Sequence, residues 1–182
     1  MSRISIPAID EMSATARELL ALTGERLGMV PNLYRIVGTS QAALEALVGF
    51  YGALDKGDLD PLTRERIALA VAEANGCDYC LSAQTHRVRQ GGMLDDAEIT
   101  ANRSGASNDI KANAAVRFAA KLARARGQVT DGDVAAVRTA GYSDAELVEI
   151  IAHVAVNLFT NTANEALKTD IDFPRIGARR AA

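Results

Sequence analysis

The sequence predicts an all-α fold. Alanine is abundant and tryptophan absent, aromatic residues make up only 4% of the 182 residues, and apolar side chains recur mostly at spacings of three and four, the period of one helix face. With 48% hydrophobic residues, the chain can bury a substantial core.

An amphipathic first helix is expected from about Asp10 to Leu22, broken by Gly24 and Gly28, after which Val30-Pro31-Asn32 begins a short helical turn. Ser40 is placed to cap a helix that carries Leu44, Leu47, Val48 and Tyr51 on one side and ends near Gly57. Asp60-Pro61 starts the next helix, Leu62 to Ala74: Asp60 caps it, and proline at the first helical position loses nothing by lacking an N–H. Its run Ile67-Ala68-Leu69-Ala70-Val71-Ala72 is apolar on nearly all sides, so this helix should be central and buried. A helix from about Cys77 to Gln90 stops at Gly91-Gly92, and Asp95 caps a short one through Ile99. The loop composition of Arg103 to Asp109 separates an N-terminal from a C-terminal group of helices. Helices from Ile110 to Arg126, Asp131 to Thr139 and Ser143 to about Lys168 complete the chain, the last opened by a capping box of Ser143 and Glu146. The domain reading is a single helical domain over 1–174, made of N-terminal helices 10–57, a cysteine-bearing hairpin 61–91 and C-terminal helices 110–169. The tail Arg175 to Ala182 reads as frayed or as packing on another subunit.

Charge excludes some functions. Twenty Lys plus Arg against 23 Asp plus Glu give a net charge of −3, which leaves no electrostatic footprint for nucleic acid. Lys121, Arg124 and Arg126 cluster without interleaved aromatics and read as a solvated helix face. Met1 to Pro7 is too short and too polar for a signal peptide, and no apolar run approaches the roughly 20 residues that span a bilayer. The expectation is a cytoplasmic protein with neither a membrane nor a nucleic-acid partner.

Both cysteines of the chain lie in one tetrapeptide, Cys77-Asp78-Tyr79-Cys80, directly after an Asn75-Gly76 turn and at the start of a helix. In a reducing compartment such a pair is more often catalytic or metal-binding than a structural staple. Unpaired N–H groups and the positive dipole end of a helix start favour a thiolate, and two sulfurs three residues apart can close and reopen a disulfide. Zinc would need about four ligands, and only His86 and His153 could complete them, far apart and without paired spacing. Two inert core cysteines are the other alternative. Position favours redox chemistry with no metal and no cofactor.

Glu65 precedes the pair on the apolar helix and shares the stripe of Leu62 and Leu69. A buried carboxylate is costly without a partner or a task, and burial would raise its pKa toward that of a general base. The alternative is an acidic residue near a helix N-terminus, paired with Arg64 or Arg66.

Glu65, eleven residues and Cys77-Asp78-Tyr79-Cys80, set within Leu62 to Gly76, resemble the alkyl hydroperoxidase D-like branch of the carboxymuconolactone decarboxylase superfamily. The likeness spans roughly Asp10 to Pro174, including Val30-Pro31-Asn32-Leu33, Ala101-Asn102-Arg103 and Thr169-Asp170-Ile171-Asp172-Phe173-Pro174, and is strongest to peroxidase-related members. The resemblance implies an AhpD-like multi-helix orthogonal bundle, assembly into a homo-oligomer (trimer or hexamer) and reduction of a hydroperoxide substrate in antioxidant defence. It makes Cys80 the peroxidatic thiol and Cys77 the resolving one, with Glu65 feeding a proton relay. A dithiol or dihydrolipoyl-type electron donor would regenerate the pair.

The family motif places a histidine four residues after the second cysteine, and this chain has Gln84 there. Gln84 shares a helical face with Cys80 and can hydrogen-bond, but an amide does not exchange a proton near neutral pH. His86 and His153 are the candidates to replace that histidine in the proton relay, but His86 lies about 120° around the helix from Cys80, which favours a solvated or interface position for it. His153 belongs to a polar seam with Asn157, Asn161 and Asn164 on an apolar helix. The seam must be hydrogen-bonded somewhere, along a pocket, at a subunit contact or as a satisfied core. Tyr34, Tyr51 and Tyr79 could ring a small-molecule pocket but read more readily as core edges.

The leading expectation is a thiol peroxidase or thiol–disulfide oxidoreductase. One alternative is a catalytically degraded binding or redox-sensing oligomer marked by Gln84. Another is a carboxymuconolactone decarboxylase-like lyase, whose chemistry has no need of a thiol pair.

Overall fold

The computed structural model describes residues 1–179 and is all-helical over that span: α1 (Ala14–Leu27), α2 (Asn32–Val37), α3 (Gln41–Leu54), α4 (Pro61–Ala74), α5 (Asp78–Gln90), α6 (Asp96–Arg103), α7 (Ile110–Arg124), α8 (Asp131–Thr139) and α9 (Asp144–Leu167). Side-chain caps account for most of the starts. Asp60, Asp95 and Asp109 accept from the third backbone N–H of α4, α6 and α7, and Ser143 and Glu146 form the capping box of α9. The expected first helix is displaced. Ser13 caps it, so Asp10 lies in a preceding 3-10 turn, and it runs through Gly24 to end at Gly28, whose φ of 76° only glycine adopts freely.

The apolar helix α4 is the centre, packing against α5, α6, α7 and α9. Ile67, Leu69, Ala70, Val71 and Ala72 have no exposed surface, and each large one contributes roughly 1.5–3 kcal/mol by burial. One apolar cluster joins α1, α2 and α3 to both cysteines; a second joins α4 to α7, α8 and α9.

The Ala101-Asn102-Arg103 segment is structural. Asn102 donates to the buried Glu98, which also accepts from Arg66, Ser107 and the Asn108 N–H. Burial alone would raise the Glu98 pKa, but these donors outweigh it and hold the carboxyl below its usual range. The following residue, Arg103, pairs with Glu73 at 2.6 Å.

The tail departs from expectation through Arg179, because its own chain holds it. Ile176 N–H donates to Ser82, Ala178 N–H to Asp78 and Arg179 N–H to Glu73. Arg180 to Ala182, where that expectation also fell, lie outside the described residues. Among the described residues, no helix is long and apolar enough to cross a membrane.

Candidate active site

The turn between α4 and α5 delivers the cysteines. Gly76 adopts φ 66°, its N–H returns to the Glu73 carbonyl and the Cys77 N–H to the Ala72 carbonyl, both at about 3.0–3.1 Å. This double return is a Schellman motif, in which Cys77 packs back on the helix just ended. Cys77 then caps α5, its sulfur accepting from the Cys80 N–H at 3.2 Å. The two sulfurs form a disulfide, with Cα atoms 5.3 Å apart.

The cysteines differ in access. Cys77 is fully buried at 0% exposure, whereas Cys80 is 7% exposed and lines a cavity of about 490 Å³. The volume suits a small organic molecule. Leu33, Tyr79, Ala83, Asn164 and Phe173 line the cavity with Cys80, and Asn164 Nδ2 donates to the Cys80 sulfur at 3.3 Å. Tyr79 is fixed by accepting from the Leu33 N–H at 3.0 Å and donating to Asp172 at 2.8 Å. Asp172 and Phe173 belong to the strap after α9, and the Phe173 ring lies edge-on to Tyr79.

Glu65 is 6% exposed and lines the same cavity, as its stripe predicts. Its partner is neither Arg64 nor Arg66. Arg64 donates to the Leu59 and Gly57 carbonyls and Arg66 pairs with Glu98, while Glu65 Oε1 pairs with Arg87 and Oε2 has no partner. Arg87 was not singled out in the sequence, although its spacing could have found it: Cys80, Gln84 and Arg87 stand at i, i+4 and i+7 on one face of α5. Gln84 lines the cavity between them in sequence, in the histidine position of the motif.

Both histidines line the cavity. His86 is only partly exposed and reaches the cavity rim, its ring 5.7 Å from Phe173. His153 is not a satisfied core histidine: it is 4% exposed, lines the cavity, and its Nε2 has no partner. Burial first and the Arg64 charge second push its pKa down to about 4, so it is neutral at pH 7. Of the polar seam, Asn157 and Asn164 line the cavity; Asn161 does not, and both its side-chain polar atoms are buried without a partner.

The three tyrosines also line the cavity instead of merely edging the core. Burial raises the hydroxyl pKa of Tyr34, Tyr51 and Tyr79, so all three remain neutral donors. Among the described residues, no group of three or more His, Cys, Asp or Glu side chains could hold a metal ion.

Chemically, the site offers a reachable sulfur with one neutral donor on it, a sealed second sulfur at bonding distance, and a buried carboxylate on the same cavity wall. Residues 41–125 match the model of the carboxymuconolactone decarboxylase family. The fold is similar to a peroxidase-related protein with an alkylhydroperoxidase AhpD core from Ralstonia eutropha JMP134, at 24% identity over 94% of this chain and 92% of that one, TM-score 0.82. A peroxidase-related protein from Silicibacter sp. TM1040 is 27% identical over 93% of this chain and 91% of that one, TM-score 0.80. The debrominase Bmp8, as a cysteine-to-alanine variant bound to 2,3,4-tribromopyrrole, has the same fold at 19% identity over 94% of both chains, TM-score 0.78. No curated protein matches the sequence.

Proposed function

We propose that this chain, which belongs to the carboxymuconolactone decarboxylase superfamily and its alkyl hydroperoxidase D-like branch, is a thiol-dependent peroxidase that reduces organic hydroperoxides in antioxidant defence. The observation that carries this reading is the unequal access of a bonded cysteine pair: Cys80 faces the cavity and Cys77 stands sealed behind it. The helix cap by itself favours charge on Cys77, whose sulfur accepts the Cys80 N–H. Access supports Cys80 as the attacking group, since Cys77 has no exposed surface.

In the proposed cycle the Cys80 thiolate attacks the distal peroxide oxygen, the O–O bond breaks, and the alkoxide leaves with a proton as the alcohol. Cys80 becomes a sulfenic acid. The Cys77 thiol then attacks that sulfur, forming the disulfide and releasing water. A small dithiol, itself oxidised to a disulfide, returns both cysteines to thiols. Asn164 stabilises the thiolate by its hydrogen bond, and Glu65, through solvent, takes the Cys80 proton and returns it to the leaving oxygen, while Gln84 can only hydrogen-bond within the cavity. A homo-oligomer is part of the proposal: Val148, Ile151 and Phe159 stand exposed on α9.

The test is consumption of cumene hydroperoxide with dihydrolipoamide as donor. Cys80→Ser should abolish turnover, and Cys77→Ser should trap a sulfenic acid on Cys80 that dimedone labels. Turnover by Cys80→Ser refutes the assignment. Since Bmp8 is a debrominase with this fold, the same assay run with a bromopyrrole tests whether a halogenated acceptor replaces the peroxide.

A further inference from the structure

The far end of the cavity carries groups that the thiol reaction does not use. Asn164 meets the Cys80 sulfur, and Thr160, Asn157 and His153 line the same cavity at successively earlier turns of α9. Eleven residues separate His153 from Asn164, which at the helical rise is about 16 Å along the axis. His153 is therefore remote from the sulfur and does not serve its proton chemistry.

Around His153 the charges do not balance. The cavity wall holds three guanidiniums, Arg26, Arg64 and Arg87, against two carboxylates, Asp55 and Glu65. Glu65 is taken by Arg87, and Asp55 by Arg26 at 2.5 Å, leaving Arg64 only a 3.8 Å contact to Asp55. The Leu59 and Gly57 carbonyls accept from Arg64 and fix its plane, but they bring no charge. Glu149, the other carboxylate whose charge reaches His153, does not line the cavity and accepts the Asp58 and Leu59 N–H groups. Arg64 is thus a cation whose side chain is only 13% exposed, incompletely compensated. Beside it the 4% exposed His153 holds an orphan Nε2, and a buried polar atom without a partner points to one that is missing.

We propose that Arg64 and His153 bind the carboxylate of an elongated amphipathic organic acid, whose apolar body runs along the cavity toward Cys80. The guanidinium supplies charge and two-point geometry, and the neutral imidazole, held so by burial and by Arg64, supplies a further N–H. Leu33, Ala83 and Phe173 near the sulfur are apolar, as the far end of such a molecule requires. The orientation rests on the peroxidase reading, since it puts the reacting atom at the end opposite the carboxylate; the anion site itself does not.

Binding can be measured on the disulfide form, without turnover, by tyrosine fluorescence, because the chain has no Trp and three of its four tyrosines line the cavity. Octanoate should bind about tenfold or more tighter than octan-1-ol, with octylamine weaker still, and Arg64→Met and His153→Leu should each remove about tenfold of that preference. Circular dichroism checks that the variants are folded; should Arg64→Met fail to fold, His153→Leu still decides. In the reduced protein, dodecanoate should slow iodoacetamide alkylation of Cys80 and butanoate should not. Equal binding of octanoate and octan-1-ol, or unchanged octanoate binding by His153→Leu, overturns the proposal. Octanoate binding as expected without hydroperoxide turnover would leave the anion site standing and remove the peroxidase reading alone.

Discussion

Asn164, near the end of α9, donates its amide N–H to the sulfur of Cys80 across a separation of 84 residues, at 3.3 Å. A donor held on a buried sulfur favours thiolate over thiol, because the ionised sulfur is the stronger acceptor. Asn164→Leu should therefore raise the Cys80 pKa. A hydrogen bond to a charged group is worth roughly 1.5–3 kcal/mol, so the rise should be about 1–2 pH units. The pH profile of iodoacetamide alkylation in a Cys77→Ser background reads it; an unmoved profile removes Asn164 from the mechanism.

Gln84→His would place a titratable group on the α5 face of Cys80, within the cavity. A positioned acid or base contributes about 10²–10⁴ in rate, and part of that gain should appear as a higher kcat with cumene hydroperoxide. The rate should acquire a limb near the histidine pKa of about 6.5. A variant that is folded and no faster at any pH would show that Gln84 interrupts nothing.

Glu65 and Arg87 form a pair in which only the carboxylate is deeply buried. Arg87, about half exposed, can turn to water when its partner is lost, so Glu65→Gln should cost only about 1–2 kcal/mol of stability. It should slow Cys80 oxidation by more than that loss of folded protein explains. Denaturant midpoints measured beside single-turnover rates separate the two effects.

His153 makes stability depend on pH. Its folded pKa, pushed down to about 4 by burial and by Arg64, lies below the unfolded value near 6.5. Between those values the unfolded chain holds more protons, so stability rises with pH across the window and falls as pH drops from 6.5 toward 4. The full contribution is about 3 kcal/mol. His153→Leu should flatten this slope in urea titrations at pH 4.5 and 6.5, while an unchanged slope would mean that other groups carry it.

The hairpin turn offers a structural control. Gly76 sits at φ 66° with open space where a side chain would point, so Gly76→Ala suffers only backbone strain. A cost of about 1 kcal/mol in thermal unfolding is expected. A much larger loss would mean that the turn also holds the disulfide in register.

Local rules made most of the helices legible. Asp60-Pro61, Ser143 with Glu146 and the apolar run Ile67 to Ala72 act within a few residues of chain, so caps and burial could be read in one dimension. The first helix was misplaced because Gly24 weakens a helix without ending it, and the glycine that ends it is Gly28. The cysteine pair, its place at a helix start and the carboxylate twelve residues before it were likewise visible in the sequence. Tertiary packing alone decided which sulfur meets the cavity, that Glu65 pairs with Arg87, that Asn164 reaches Cys80, and that the buried His153 Nε2 is left unpaired. Periodicity says which face of a helix is apolar; which distant side chains share a cavity depends on how α4, α5 and α9 pack around the core, and no local pattern encodes that.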